Sequence, residues 1–279
     1  MRLNKNKEIL DHFLTKESFV LEYDSRYKMF RTLPKPDYKD LHSYYKAENY
    51  VSHQQAARGF FDKTFFFFKS IMISQKIKII NKLFSKPSRS FDIGSGTGDF
   101  VAALSAKGWE AYGHEPSVLA KSLSKKKGVV NLKSLSEGPD KSFELITFWH
   151  SLEHVYSLEN TISEVNRLLK PGGALLVACP NFNSWDAKYY KNYWAAWDVP
   201  RHLRHFSLNS LELLLEPLGY KQHGLRPLLL DAFYVSMLSE KIKGNRFYFL
   251  KGIIIGFVSN FLALFNKNYS SSVFVFRKS

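Results

Sequence analysis

Between residues 90 and 180 the chain alternates short apolar runs with amphipathic stretches. Ser90–Gly94 reads as a short buried strand ending at glycines, Asp99–Lys107 as a helix stopped by Gly108, and "WEAYGHE" (Trp109–Glu115) as a second strand. Val118–Lys127 reads as a helix closed by Gly128, followed by a short strand at Val129–Leu132. "SFELITFWH" (Ser142–His150) is a nearly continuous apolar strand, Leu158–Leu169 a helix ended by "KPGG", and "ALLVACP" (Ala174–Pro180) a further strand. Short strands alternating with helices of about ten residues predict parallel βαβ units and an open, doubly wound sheet.

The pattern continues downstream. "NSLE" (Asn209–Glu212) predicts a capping-box start to a helix that runs to about Leu215 and is broken by Pro217 and Gly219. Lys221–Leu225 and Ser272–Arg277 read as late strands, with a helical insertion at about 228–269 between them. The insertion holds "FYFLKGIIIGFVSNFLALF" (Phe247–Phe265), which Lys251 and Asn260 make a poor membrane span; a core or lid helix and a membrane-surface helix are the two readings. Residues 1–85 read as a helical, aromatic extension, with Phe61, Phe65, Phe68, Met72, Ile79 and Leu83 near one helical face, and 86–279 as the main domain.

Composition narrows the partners. The net charge is +15, but residues 1–90 carry +9, 91–179 carry −1 and 180–279 carry +7. The neutral middle argues against a nucleic-acid groove centred on the glycines and moves any anionic partner to the flanks. The single cysteine, Cys179, excludes an internal disulfide and a cysteine-based zinc site. No signal peptide is visible at the start, so a cytoplasmic location is expected.

The chemistry centres on "FDIGSGTGDF" (Phe91–Phe100). A triphosphate-binding loop needs a lysine after its last glycine, and Gly98 is followed by Asp99. A dinucleotide loop is one residue longer, and here Asp92 and Asp99 would face a pyrophosphate. A cationic nucleoside without phosphate fits better: S-adenosylmethionine has an ammonium for Asp92 and a ribose diol for Glu115, at the end of the next strand.

"FDIGSGTGDF", "GHEPS", "SFELITFWHSLEHV" and "LLKPGGALLVACPN", in that order, closely resemble the class I S-adenosylmethionine-dependent methyltransferases. "WAAWDVPRHLRHFSLNSLELLLEPLGY" (Trp194–Tyr220) is similar to a bacterial small-molecule branch of that family. The resemblance implies a Rossmann-like, seven-stranded mixed sheet whose last strand is inserted antiparallel. It also implies S-adenosylmethionine as cofactor, S-adenosylhomocysteine as product and no metal. By position, Asp92, Gly94, Ser95, Gly96 and Gly98 would line the methionine end, Glu115 with Pro116 the ribose, Leu135 and Ser136 the adenine, and Trp149 the sulfonium. Related sequences often carry a zinc-binding cysteine pair; "VLEYDSRYKMFRT" (Val20–Thr32) has none.

Methyl transfer is an in-line displacement that needs a base only for a protonated acceptor such as a hydroxyl. His150 is the first candidate, then His202 or His205, whereas His154 reads as structural. Trp194, Trp197, Arg201 and Arg204, in the loop after the fifth main strand, are expected to form a substrate wall for an acceptor with a ring and an anionic group. No Asp/Asn-Pro-Pro-aromatic run follows the fourth strand, which disfavours nucleobase amines and leaves O-methylation of a small-molecule or lipid-linked acceptor ahead. The basic aromatic insertion would then be a lid or a peripheral membrane contact. An RNA- or protein-modifying enzyme and a catalytically silent binding subunit are the alternatives.

Overall fold

The computed structural model describes residues 6–45 and 60–279, without the side chains of His42 and 60–69. Its main sheet has seven strands, β4 (Arg89–Ile93), β5 (Glu110–His114), β6 (Val130–Asn131), β7 (Phe143–Trp149), β8 (Leu169–Pro180), β10 (Tyr220–Pro227) and β11 (Ser271–Lys278). Their order is β10-β11-β8-β7-β4-β5-β6, so the last strand is inserted between two earlier ones. β4 pairs parallel with β5 and β7, and β5 parallel with β6. The sheet is mixed, as the resemblance implies. The central strands are buried on both faces, which is why β8 carries an unbroken apolar run at 174–179 and β7 a nearly continuous one, rather than alternating patterns.

The helices of the main sheet are α2 (Asp99–Ser105), α3 (Val118–Lys126), α4 (Leu158–Leu168) and α6 (Leu208–Leu215), with the short α5 (Trp185–Tyr190) preceding the last of them. α3 starts where the Ser117 hydroxyl accepts the Ala120 N–H. The capping box of α6 lies two residues earlier than expected: Ser207 and Ser210 cap each other's backbone, not Asn209 and Glu212. Serine wins because its short hydroxyl reaches the third backbone N–H of the helix while remaining buried. The insertion is a pair of helices, α7 (Leu229–Ile242) and α8 (Tyr248–Asn266).

The N-terminal segment corrects the expected helical extension. Among its described residues it is helical in α1 (Phe60–Asn81) and in a short turn at Leu41–Tyr45. Before them lie β1 (Lys7–Leu10), β2 (Ser18–Asp24) and β3 (Met29–Leu33), which with β9 (Arg204–His205) form a second, antiparallel sheet. "SFVLEYD" has a period of two, with Phe19 and Leu21 buried and Ser18 and Val20 exposed, and this alternation outweighs the scattered helix formers nearby. In α1 the buried described residue is Ile80, while Met72 is exposed. Phe61, Phe65 and Phe68, expected beside them, lie outside the described side chains.

The chain forms two compact units. One comprises Met1–Tyr45, Leu152–Tyr156 and Val177–Val275; the other comprises Lys46–Ser151, Ser157–Leu176 and Phe276–Ser279. The first is organised around an aromatic core in which Phe19, Phe30, Phe182, Trp194 and Trp197 meet Ile9 and Leu21. A buried ion pair crosses it: the Arg201 guanidinium donates to Asp11 Oδ1 at 2.8 Å and reaches Asp198 Oδ1 at 2.7 Å. Asp11 and Arg201 are essentially inaccessible, and removing Asp11 strips the buried guanidinium of one of its two carboxylates while Asp198 still pairs it. Asp11→Ala, which leaves Arg201 paired with Asp198, is expected to lower unfolding stability by about 1–3 kcal/mol, read from the denaturant midpoint; a change below about 0.5 kcal/mol would mean the Asp11–Arg201 pair is solvated.

Candidate active site

The glycine turn after β4 is built in the second unit. Gly94, Gly96 and Gly98 all have left-handed φ, at 78°, 53° and 74°. A Cβ on Gly94 would sit 2.4 Å from Ser151 Cβ, and one on Gly98 2.6 Å from Ser124 Cβ, so glycine is required for both backbone angle and space. Beside Gly96 there is nothing within 4 Å; that position is open. The backbone N–H groups of Gly94 and Ser95 both donate to the His114 carbonyl, at 2.8 and 3.0 Å.

Glu115, the expected ribose ligand, holds this turn. Its Oε2 accepts the Gly96 N–H at 2.8 Å and its Oε1 accepts the Ser117 N–H at 2.8 Å. Each carboxylate oxygen keeps a second lone pair for a diol. Pro116 beside it is exposed. Leu135 and Ser136 lie in the short helical turn Leu135–Glu137, with Ser136 exposed and its hydroxyl 2.7 Å from that of Ser134.

Asp92 is buried at the end of β4, where its Oδ1 accepts the Thr147 hydroxyl at 2.6 Å. Burial raises its carboxyl to about 6, against the lowering effects of Thr147 and of the Lys76 ammonium. Lys76, from α1, lies 4.5 Å from the centroid of the Trp149 ring, and Trp149 packs edge-on to Phe100. Ser95 Oγ and Trp149 Nε1 are buried with no hydrogen-bond partner among the described residues. A buried acid whose ionised form lacks full compensation, two unfilled polar atoms and an open glycine suit a ligand that brings a cation and hydroxyls. They fit S-adenosylmethionine. His150 follows β7 in a left-handed conformation, φ 54°, half-buried.

The first unit holds the other expected residues and rearranges their roles. Trp194 and Trp197 are core, not an open wall: their indole N–H groups donate to Asp186 Oδ2 and to the Lys191 carbonyl, both at 2.8 Å. Arg201 is consumed by Asp11 and Asp198. The physical reason is the β1–β3 sheet, whose Ile9, Phe19, Leu21 and Phe30 cover these rings. Arg204, His202 and His205 line a small cavity with Glu153, Trp194 and Phe206, with room for about one water (≈ 10 Å³).

Hydrogen bonds fix which nitrogen of each histidine is protonated. His202 Nδ1 lies 2.9 Å from the Ala196 carbonyl, which can only accept, so Nδ1 carries a proton, and Nε2 lies 3.9 Å from Asp198 Oδ2. The Thr32 hydroxyl donates to the His202 carbonyl at 2.6 Å, so His205 Nε2, 3.0 Å away, must donate to Thr32 Oγ1. His154 Nδ1 is held by the Arg201 carbonyl at 3.0 Å, matching its expected structural part. Burial depresses His154 to about 4 and pushes His205 well below the ordinary imidazole range, with the neighbouring His202 adding to both. Glu153, beside His154 in "LEHV", escaped the sequence reading because an isolated acid at a helical turn looks like a surface residue; it is buried, and its ligand atoms lie within 4.8 Å of those of His154 and His202.

The sheet order, the glycine turn and the acid after the second parallel strand together define a class I methyltransferase fold with an S-adenosylmethionine site. A family model described as a methyltransferase domain matches residues 68–223, and the chain belongs to that family. It is an S-adenosylmethionine-dependent transferase. None of the curated proteins compared matches the sequence. Among solved structures, an S-adenosylmethionine-dependent methyltransferase from Thermotoga maritima is similar at 18% identity and TM-score 0.52, covering 86% of this chain and 97% of that one. One from Archaeoglobus fulgidus is similar at 19% and 0.53, covering 75% and 94%. Geranyl diphosphate C-methyltransferase from Streptomyces coelicolor A3(2), solved with Mg²⁺, geranyl diphosphate and S-adenosylhomocysteine, is similar at 13% and 0.52, covering 74% and 77%. These likenesses concern the fold.

The Asp92 carboxyl supplies a test. Its native value, about 6, lies above the unfolded value of 3.8, so the native state holds the proton more tightly. Stability is therefore lost as pH rises from about 4 to about 6, by about 3 kcal/mol in all. Asp92→Asn, which keeps the acceptor for Thr147, is expected to raise Tm at pH 7.5 and to leave it unchanged near pH 4. An equal shift at both pH values in thermal melts would show that Asp92 is not held partly neutral.

Proposed function

We propose that this transferase, of the bacterial small-molecule branch, methylates a hydroxyl group of a small-molecule or lipid-linked acceptor, in the cytoplasm and in peripheral contact with a membrane. The observation that carries the O-methylation reading is His202. Its Nδ1–H is anchored on the Ala196 carbonyl, which leaves Nε2 as the ring atom that could take a proton, and the residue lines a cavity the size of one hydroxyl. A hydroxyl acceptor must give up its proton to a base, a part an imidazole nitrogen can play; a tertiary amine or a thiolate would need none.

S-adenosylmethionine supplies the electrophilic methyl group. Asp92, Ser95 and Trp149 would hold its methionine end and Glu115 its ribose, and the positive-φ glycines let the backbone come close. His202 receives the proton from the acceptor oxygen at Nε2. Buried His205 and His154, whose basicity is depressed, stay neutral and themselves add no positive charge beside His202. His150, at the end of β7, is the second candidate for the proton. The membrane contact is supported by the exposed apolar residues of α8.

His202→Ala is expected to lower kcat by about 10²–10⁴-fold on a hydroxyl acceptor while S-adenosylmethionine affinity is kept. Unchanged turnover in a folded variant, with a collapse in His150→Ala instead, would move the base to β7. If neither variant loses activity on any hydroxyl acceptor, the O-methylation reading fails.

A further inference from the structure

α8 has two unlike faces. Gly252 and Gly256, one turn apart, press against α7: a Cβ on Gly252 would lie 2.6 Å from the Met237 backbone, and one on Gly256 2.7 Å from the Phe233 Cα. Ser259, on the same side, donates to the buried Asp186 carboxylate at 2.7 Å, and Asn260 donates to the Leu229 carbonyl at 2.9 Å. On the opposite side Leu250, Ile254, Phe257, Phe261, Leu264 and Phe265 follow the 3–4 spacing of one helical stripe and are each between 51% and 76% exposed. A stripe this long and aromatic is not ordinary solvent surface.

By length and composition α8 could cross a bilayer: 19 residues, mean hydropathy 1.8 and 28% buried. The two residues expected to prevent this are both accounted for, since Lys251 pairs with the buried Glu240 at 3.3 Å and Asn260 is bonded to α7. Its tethers oppose a crossing. Pulling α8 into a span would strip Asp186 of the Ser259 hydroxyl and open the tight glycine contact with α7. The helix stays docked, and its free stripe is what a partner can cover.

Charge identifies the partner. Lys241, Lys243 and Arg246, in and just before the turn between α7 and α8, and Lys267, just beyond α8, are all exposed and bracket the stripe at both ends. The acids of this stretch do not oppose them: Glu240 is buried and ion-paired, and Asp231 is only half-exposed. Apolar residues flanked by cations match the acyl–headgroup boundary of an anionic bilayer, with the stripe among the acyl chains and the cations at the phosphates. We propose that the α7–α8 pair is a monotopic anchor, in which α8 lies in the plane of an anionic membrane surface with its Leu250–Phe265 stripe immersed. The proposal rests on the peripheral-contact reading above and adds the face, the orientation and the lipid charge.

The test is co-sedimentation of the full chain with vesicles of phosphatidylcholine alone and of phosphatidylcholine with phosphatidylglycerol. Binding at least tenfold tighter to the anionic vesicles, reversed by salt, is expected. F257S/F261S/F265S, all on the exposed stripe, should abolish binding without lowering Tm, and K243E/R246E should remove the lipid preference. Equal binding to both vesicles would overturn the anionic anchor while leaving peripheral contact standing. No binding to either vesicle overturns both. A dimeric wild type that the triple serine variant makes monomeric would assign the stripe to a second copy and overturn the proposal. Titration with S-adenosylmethionine on the same preparations reports methyl-donor binding separately.

Discussion

The structure turns on the carboxylate of Glu115, whose Oε2 receives the Gly96 N–H and whose Oε1 receives the Ser117 N–H. Together with the His114 carbonyl, it fixes the end of β5 against the turn after β4. Three left-handed glycines in five residues would be costly in conformational entropy without such ties. With them, the turn leaves space beside Gly96 and brings Gly94 within contact of Ser151. Asp92 is deep because it sits in β4 between two parallel neighbours, opposite Gly113 of β5 and Thr147 of β7.

A second constraint organises the other unit. Buried Arg201, between Asp11 and Asp198, ties the loop at β1 to the segment that carries the tryptophans and histidines. Asp11 Oδ1 also accepts the backbone N–H groups of Phe13 and Leu14, so its charge is spread over several donors. Around this pair the histidine rings are positioned by carbonyls, and their tautomers follow from which neighbours can only accept. The orientation of this histidine cluster is set by backbone oxygens.

What could be read from the chain follows from how local each feature is. β4, the glycine turn, β5 and β7 were legible because each is a short run whose own pattern dictates its form, and "FDIGSGTGDF" carries its chemistry within ten residues. The β1–β3 sheet was not legible as such, because its partner β9 lies about 170 residues away and its pairing is decided by burial against Trp197 and Phe182. That miss spread to the site. Without the sheet, Trp194, Trp197 and Arg201 look like an accessible wall; with it they are core. The two faces of α8 were equally hidden, since glycine packing on α7 rather than hydropathy decides which side is free.

The most direct test of the account is calorimetric titration of the wild-type protein and of Glu115→Ala with S-adenosylmethionine and S-adenosylhomocysteine. The account predicts micromolar binding of both by the wild type, and a loss of at least tenfold, about 1.4 kcal/mol, in a variant whose main sheet remains folded. Undiminished binding by Glu115→Ala, or none by a folded wild type, would contradict the claim that this carboxylate shapes the methyl-donor site.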